Sequence, residues 1–273
     1  MRTRLFLITA LLSSAACSSP DDMKSMVGVE REATSGQAAP SSQQAEPVEF
    51  IDNTGEGVTE RMFSYSWPAE VSAIEPLAAS LAAERDKALA EQKEDYEAAL
   101  AESPEDCEPC RTRSAETEWK VVANLPRFLS LNADFSNYTG GAHGNHGTRS
   151  LVWDREAGQR LDPTAMFRSP AALYGAISRR YCVALNAERE KRRGEPVDPN
   201  DEYFGGCPAI DELSVLLGSS DGRTFDRIGL IADPYVAGAY AEGSYEITLP
   251  INAAVIDAAK PEYASAFSLG TRK

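Results

Sequence analysis

Beyond about residue 50 the hydrophobic and polar positions follow two periods. Arg61 to Trp67 alternates at every second residue, the pattern of a half-buried strand. Residues 71–101 place Ile74, Leu77, Ala78, Leu81, Leu89, Tyr96 and Leu100 near a 3.6-residue repeat, with Glu, Lys, Arg and Asp between them. That spacing predicts a first long helix with a solvated charged face. Glu118 to Ala123 and Phe128 to Ser136 read as strands parted by a turn at Leu125-Pro126, and Thr148 to Trp153 as another. Asp154 to Gly158 reads as a hairpin turn, and Asp162-Pro163 as a helix N-cap with proline at the first helical position. Residues 170–193 predict a second long helix, stopped by Gly194 and Pro196, with a loop over 194–207. Ile228 to Ala232 and Tyr245 to Pro250 are late strands. Strands and helices in blocks predict an α+β fold, a mainly antiparallel sheet packed with two long helices.

The first 49 residues follow neither period. Arg2 and Arg4 precede a short apolar run, Leu5 to Leu12, and small residues Ser13 to Ala16 lead to Cys17. This order reads as a signal peptide over 1–16 with Cys17 as an acylated first residue; Ser14, where such sequences usually carry Leu, departs from the pattern. Ser18 and Ser19 include no Asp retention signal, which points to the outer membrane facing the periplasm. No later segment is long and apolar enough to span a bilayer. Residues 17–49, rich in Ser, Ala, Gln, Pro and Glu, read as a flexible tether reaching about 30 Å. The chain carries 27 Lys and Arg against 42 Asp and Glu, a net −15. Cleavage before Cys17 removes two cations and no acid. Such a surface repels phosphate backbones, so nucleic acid is excluded as a partner and a basic protein is electrostatically acceptable.

Cys107, Cys110, Cys182 and Cys207 remain, an even number for an oxidising compartment. Of three possible pairings, Cys107–Cys110 with Cys182–Cys207 is favoured; the second would staple the 170–193 helix to the end of its loop. Cys107-Glu-Pro-Cys110 superficially resembles a dithiol redox site, but it follows a helix, and Glu105, Asp106 and Glu108 would raise a thiol pKa. The second pair lacks the close spacing of a four-thiol zinc site. No metal or cofactor is expected.

The most distinctive stretch is Tyr138-Thr-Gly-Gly-Ala-His-Gly-Asn-His-Gly147, which holds both histidines of the chain. Its glycines imply positive φ or close backbone approach. The run Tyr138 to His143, the Trp153 to Leu161 strand and turn, Met166-Phe167, and Asp233-Pro-Tyr-Val-Ala-Gly-Ala-Tyr-Ala-Glu-Gly243 resemble the extracytoplasmic domains of the anti-sigma factor RsiV and of the N-terminal part of the peptidoglycan deacetylase PdaC. The resemblance spans about Phe63 to Phe267. It implies a PdaC-like half over 50–155, an RsiV-like half over 156–273, and an envelope domain used for binding. In RsiV-like proteins that domain recognises lysozyme; in PdaC-like proteins it accompanies a separate catalytic domain that this sequence lacks.

Three functions are open at this point. A noncatalytic binding module for a cell-wall glycan or a basic wall-directed protein would use Tyr138, Tyr235 and Tyr240 beside Gly140, Gly141, His143 and His146. A hydrolase or deacetylase acting on wall carbohydrate would use His143 and His146 as base or ligands, helped by Asp134 or Asp154, but His-x-x-His lacks the helical metalloprotease spacing and no Gly-x-Ser-x-Gly elbow exists. The third is a structural envelope lipoprotein.

Overall fold

A computed structural model describes residues 45–55 and 60–271. The signal peptide, Cys17 and most of the tether lie outside the described residues.

Six strands form the larger sheet in sequence order: β1 (Val48–Ile51), β2 (Arg61–Trp67), β3 (Arg113–Asn124), β4 (Phe128–Tyr138), β5 (Asn145–Asp154) and β6 (Gln159–Leu161). All neighbours are antiparallel except β2 and β3. A parallel pair needs a crossover, and here it carries α1 (Ala69–Ser72), α2 (Glu75–Glu102) and α3 (Glu108–Arg111). The expected helix over 71–101 is therefore two. Pro76 sits in the first turn of α2; inside one continuous helix its ring would meet the carbonyl of Ser72. The chain breaks after Ser72 and restarts. Likewise β1 begins at Val48, two residues inside the expected tether, and Asp162-Pro163 opens a short 3-10 turn, Pro163–Met166, rather than an α-helix.

The second sheet has three antiparallel strands, β7 (Ser214–Gly218), β8 (Arg227–Ala232) and β9 (Tyr245–Pro250). Helix α4 (Pro170–Arg193) packs beside it, with α5 (Ala253–Ala258) after β9. Helix α4 matches its expected span. Ser169 caps its start by accepting from the Ala172 N–H at 3.0 Å, and Gly194 ends it at φ 74°. Its buried stripe is Leu173, Ile177, Tyr181, Leu185 and Arg189, one side chain every fourth residue.

Two apolar clusters fill the molecule, and the end of the larger sheet is shared between them. Leu129, Leu131, Leu151 and Trp153 face α2 together with Phe63, Tyr65, Trp67, Leu77, Leu81 and Trp119. Their alternates Phe128 and Val152, with Ala123, face the smaller sheet and α4. This explains why Phe128 to Leu131 is buried without interruption: that stretch of β4 is covered on both faces. Both disulfides form as favoured, Cys107–Cys110 across α3 and Cys182–Cys207 from α4 to its following loop. Among the described residues, no helix is long and apolar enough to cross a membrane.

Candidate functional site

The glycine–histidine stretch is the connection between β4 and β5, and the structure divides its expected site residues into two groups. Tyr138, Gly140 and Gly141 turn toward the Cys107–Cys110 clasp. The Tyr138 hydroxyl lies 3.1 Å from the Pro109 carbonyl and 2.8 Å from that of Gly141. Gly140 and Gly141 both have φ 98°, and a Cβ on Gly140 would stand 3.2 Å from the Pro109 oxygen. These residues buttress the loop. Tyr138 is in no ring contact with Tyr235 or Tyr240, and its hydroxyl lies against backbone carbonyls of the clasp and of its own loop.

The second group does converge. His143 stacks on Tyr240 with ring centroids 4.1 Å apart and planes inclined by 25°. His146 meets the same ring edge-on at 5.5 Å, and Tyr235 lies 5.6 Å from it on the 233–243 loop. The Tyr240 hydroxyl donates to the Gly144 carbonyl at 2.7 Å, and His143 Nδ1 lies 2.9 Å from that same oxygen. Both histidines are exposed, and Tyr235 is 57% exposed. The product is a small aromatic platform at the edge of the larger sheet.

Two anchors hold the loops in register. Asp233 accepts from the Thr148 N–H at 2.8 Å and the Thr148 hydroxyl at 3.0 Å, joining the 233–243 loop to β5. The approach requires Gly147, where a Cβ would lie 2.8 Å from both Asp233 Oδ2 and Phe135 Cζ. The other anchor is the C-terminal turn of α4. Arg189, fully buried, donates to the carbonyls of Ala237 and Gly206, each at 2.8 Å. Arg192 donates to the carbonyls of Glu242 and Ser244, and Arg193 pairs with the Glu242 carboxylate at 2.9 Å. Glu242 also accepts from the Ala239 N–H and the Tyr245 hydroxyl. Burial raises the Glu242 pKa, but the bonds from Arg193, Tyr245 and Ala239 outweigh it and hold the group below the usual carboxylate range. Sequence reasoning missed Arg189, Arg192 and Arg193, because charges near a helix end read as surface, and took Asp233 and Glu242 only as members of the 233–243 run without a role. The Arg-x-x-Arg-Arg spacing on one helix end was the available signal.

Tyr235 has the only positive φ among the described non-glycine residues, 71°. It stands third in the turn Asp233-Pro234-Tyr235-Val236, closed by the Val236 N–H to the Asp233 carbonyl at 3.0 Å. Proline second and a positive φ third is the arrangement of a type II turn, whose third residue is ordinarily glycine.

The carboxylates considered as helpers of the histidines are engaged elsewhere. Asp154 is fully buried and receives Arg127 through two bonds, at 3.0 and 2.7 Å, and the N–H groups of Glu156 and Ala157. Asp134 pairs with Lys120 at 3.0 Å. Among the described residues, no group of three or more His, Cys, Asp or Glu side chains could hold a metal ion.

With this geometry in view, comparison with known proteins finds a match for one segment of the chain. Residues 56–146 match the family model described as Deacetylase PdaC. This segment is similar to the domain that the model describes. The matched residues begin after β1, shortly before β2, and run to His146 in β5, taking in most of the glycine–histidine stretch. The fold is also similar to two solved structures of DUF3298-family proteins. One, from Bacteroides fragilis, shares 18% identity over 75% of this chain and 90% of that one, with a TM-score of 0.47. The other, from Pseudomonas aeruginosa, shares 16% identity over 83% of this chain and 98% of that one, also with a TM-score of 0.47. No curated protein matches the chain.

Proposed function

We propose that this chain is a cell-envelope lipoprotein whose folded part is a noncatalytic binding module for a cell-wall glycan, with the His143–Tyr240–Tyr235 platform as the contact surface. The observation that carries the reading is Tyr235. A side chain at left-handed φ costs roughly 1–2 kcal/mol, and glycine would occupy the turn without that cost. The tyrosine is held there although the residue is more than half exposed, so the fold gains little from it. Strain kept at an exposed aromatic fits a ring reserved for a ligand. Flat aromatic faces flanked by backbone carbonyls and hydroxyls suit the C–H faces and hydroxyls of a sugar. The two carboxylates of the 233–243 loop, Asp233 and Glu242, are already bonded within the fold, which favours binding over acid–base turnover.

The test is titration of the purified protein with soluble wall-derived oligosaccharides, comparing the natural chain with Tyr235→Gly and Tyr240→Ala. Saturable binding weakened about tenfold or more by either substitution supports the platform; unchanged binding, or release of acetate or sugar by the protein, overturns it. The lipoprotein part rests on the Arg2 to Cys17 pattern and the extracytoplasmic setting of PdaC-type domains. Cys17→Ala is expected to move the protein from the membrane fraction to the soluble fraction with its fold intact. Unchanged membrane association would sink the anchor.

A further inference from the structure

The platform stands at one end of an open sheet face. Register pairs Ser136 with His146, Glu116 with Ser136, Ser64 with Glu116, and Ile51 with Ser64, so these side chains share one face from β5 across to β1. On the opposite face, the same strands bury Phe63, Tyr65, Trp119 and Leu131 against α2. The open face is half-buried or exposed at every one of these positions, since the smaller sheet covers only the far end, around Ser130 and Val152.

Two clefts lie along it. One, of about 820 Å³, is lined by Glu49, Ser64, Ser66, Glu116, Glu118 and Lys120 among others; the other, of about 350 Å³, includes Ser64, Ser114, Glu116 and Ser136. The clefts share Ser64 and Glu116 and so adjoin one another. Their charge is one-sided. Glu49, Glu70, Glu116 and Glu118 line the larger cleft against one lining cation, Lys120, which already bridges Glu118 at 2.8 Å and the neighbouring Asp134 at 3.0 Å. Glu49 and Glu116 make no ion pair among the described residues.

Resting on the glycan reading of the platform, we infer that this face extends the platform into a groove for a linear glycan bearing free amines, an amino-sugar polymer whose nitrogens are not acylated. Carboxylates accept from sugar hydroxyls and from ammonium groups alike, but only the ammonium gains from the uncompensated negative charge. Four strand spacings of about 4.8 Å each separate β5 from β1, so the occupant is a chain several residues long.

The experiment titrates the purified full-length protein with a glucosamine hexamer, an N-acetylglucosamine hexamer and lysozyme, at low and physiological salt. The glucosamine hexamer is expected to bind at least about tenfold more tightly than the acetylated one, with the advantage shrinking as salt rises. The double variant Glu116→Gln/Glu118→Gln, with unchanged circular dichroism, should weaken glucosamine binding about tenfold and acetylated-hexamer binding by clearly less, so that the difference between the two hexamers shrinks. Tyr235→Gly should weaken both hexamers. Equal binding of the two hexamers, or no effect of the double variant on a chain that still needs Tyr235, overturns the groove while the platform stands. Failure of both hexamers to bind overturns the platform reading itself. Binding of lysozyme alone, lost in the double variant, would make the face a protein interface and overturn the groove.

Discussion

Tyr235 and Asp154 show how differently single residues can be held. At Tyr235 the backbone is strained and the side chain is loosely kept. Tyr235→Gly relieves the strain but gives up a ring contact with Tyr240 and adds glycine's unfolded-state entropy, effects of similar size. Its expected change in stability is therefore under about 1 kcal/mol by chemical denaturation, against a large loss of binding. A substitution that instead unfolds the protein would show the ring to be structural. At Asp154 everything is satisfied. The Arg127 guanidinium, opposed by burial and joined by the Ala157 and Glu156 N–H groups, holds the carboxyl below its ordinary value of 3.8. Because the folded pKa is the lower one, the stabilisation is complete above the ordinary carboxylate range and is lost as pH falls through it toward the folded value. Arg127→Ala leaves a buried carboxylate with only its backbone donors. It should cost about 2–3 kcal/mol near neutral pH and flatten the acid limb of a stability-against-pH curve; an unchanged acid limb would mean that the backbone N–H groups alone carry the effect.

Elements were legible where their ends are written in local chemistry. Helix α4 begins and ends as read because Ser169-Pro170 and Gly194 are local signals. The break before α2 lay equally in Pro76, but the apolar period ran across it and masked it. Strand β7, Ser214–Gly218, went unread because Ser-Val-Leu-Leu-Gly does not alternate; it packs against both the larger sheet and the smaller one, and a short apolar run has no period to read. The grouping of His143 with Tyr240 was expected only through the family resemblance, since no local signal carries it: it depends on Asp233 reaching Thr148 across 85 residues. The Cys182–Cys207 bridge is an element-scale device. It joins α4 to the loop that carries Gly206, whose carbonyl receives Arg189. Closing a loop of 25 residues is worth about 3–4 kcal/mol in the chain-entropy account. Cys182→Ser is expected to lower stability by up to that amount and, by loosening the 206–207 support, to raise hydrogen exchange around Ala237. Lost stability with unaltered exchange there would show that Arg189 holds the platform loop without help from the disulfide.

At the scale of the molecule, the two halves expected from the resemblance share the end of one sheet. The N-terminal half owns β4 and β5, yet Phe128 and Val152 point into the cluster of the C-terminal half. Separating the halves would strip those side chains of cover, so the described region should unfold in one step. The tryptophans make this measurable. All 3 in the chain, Trp67, Trp119 and Trp153, lie in the α2-side cluster, so their fluorescence reports the N-terminal layer alone. Leu217, fully buried in the other cluster, is far from reporting directly. Leu217→Ala removes about 3 kcal/mol of packing there. If the layers are coupled, the urea midpoint seen by tryptophan fluorescence should fall as far as the one seen by far-ultraviolet circular dichroism. A fluorescence midpoint that stays put while the circular dichroism splits into two transitions would mean that the halves fold separately. The shared end of β4 and β5 would then be a docking surface between domains, and the platform, built from one loop of each half, would form only when they are docked.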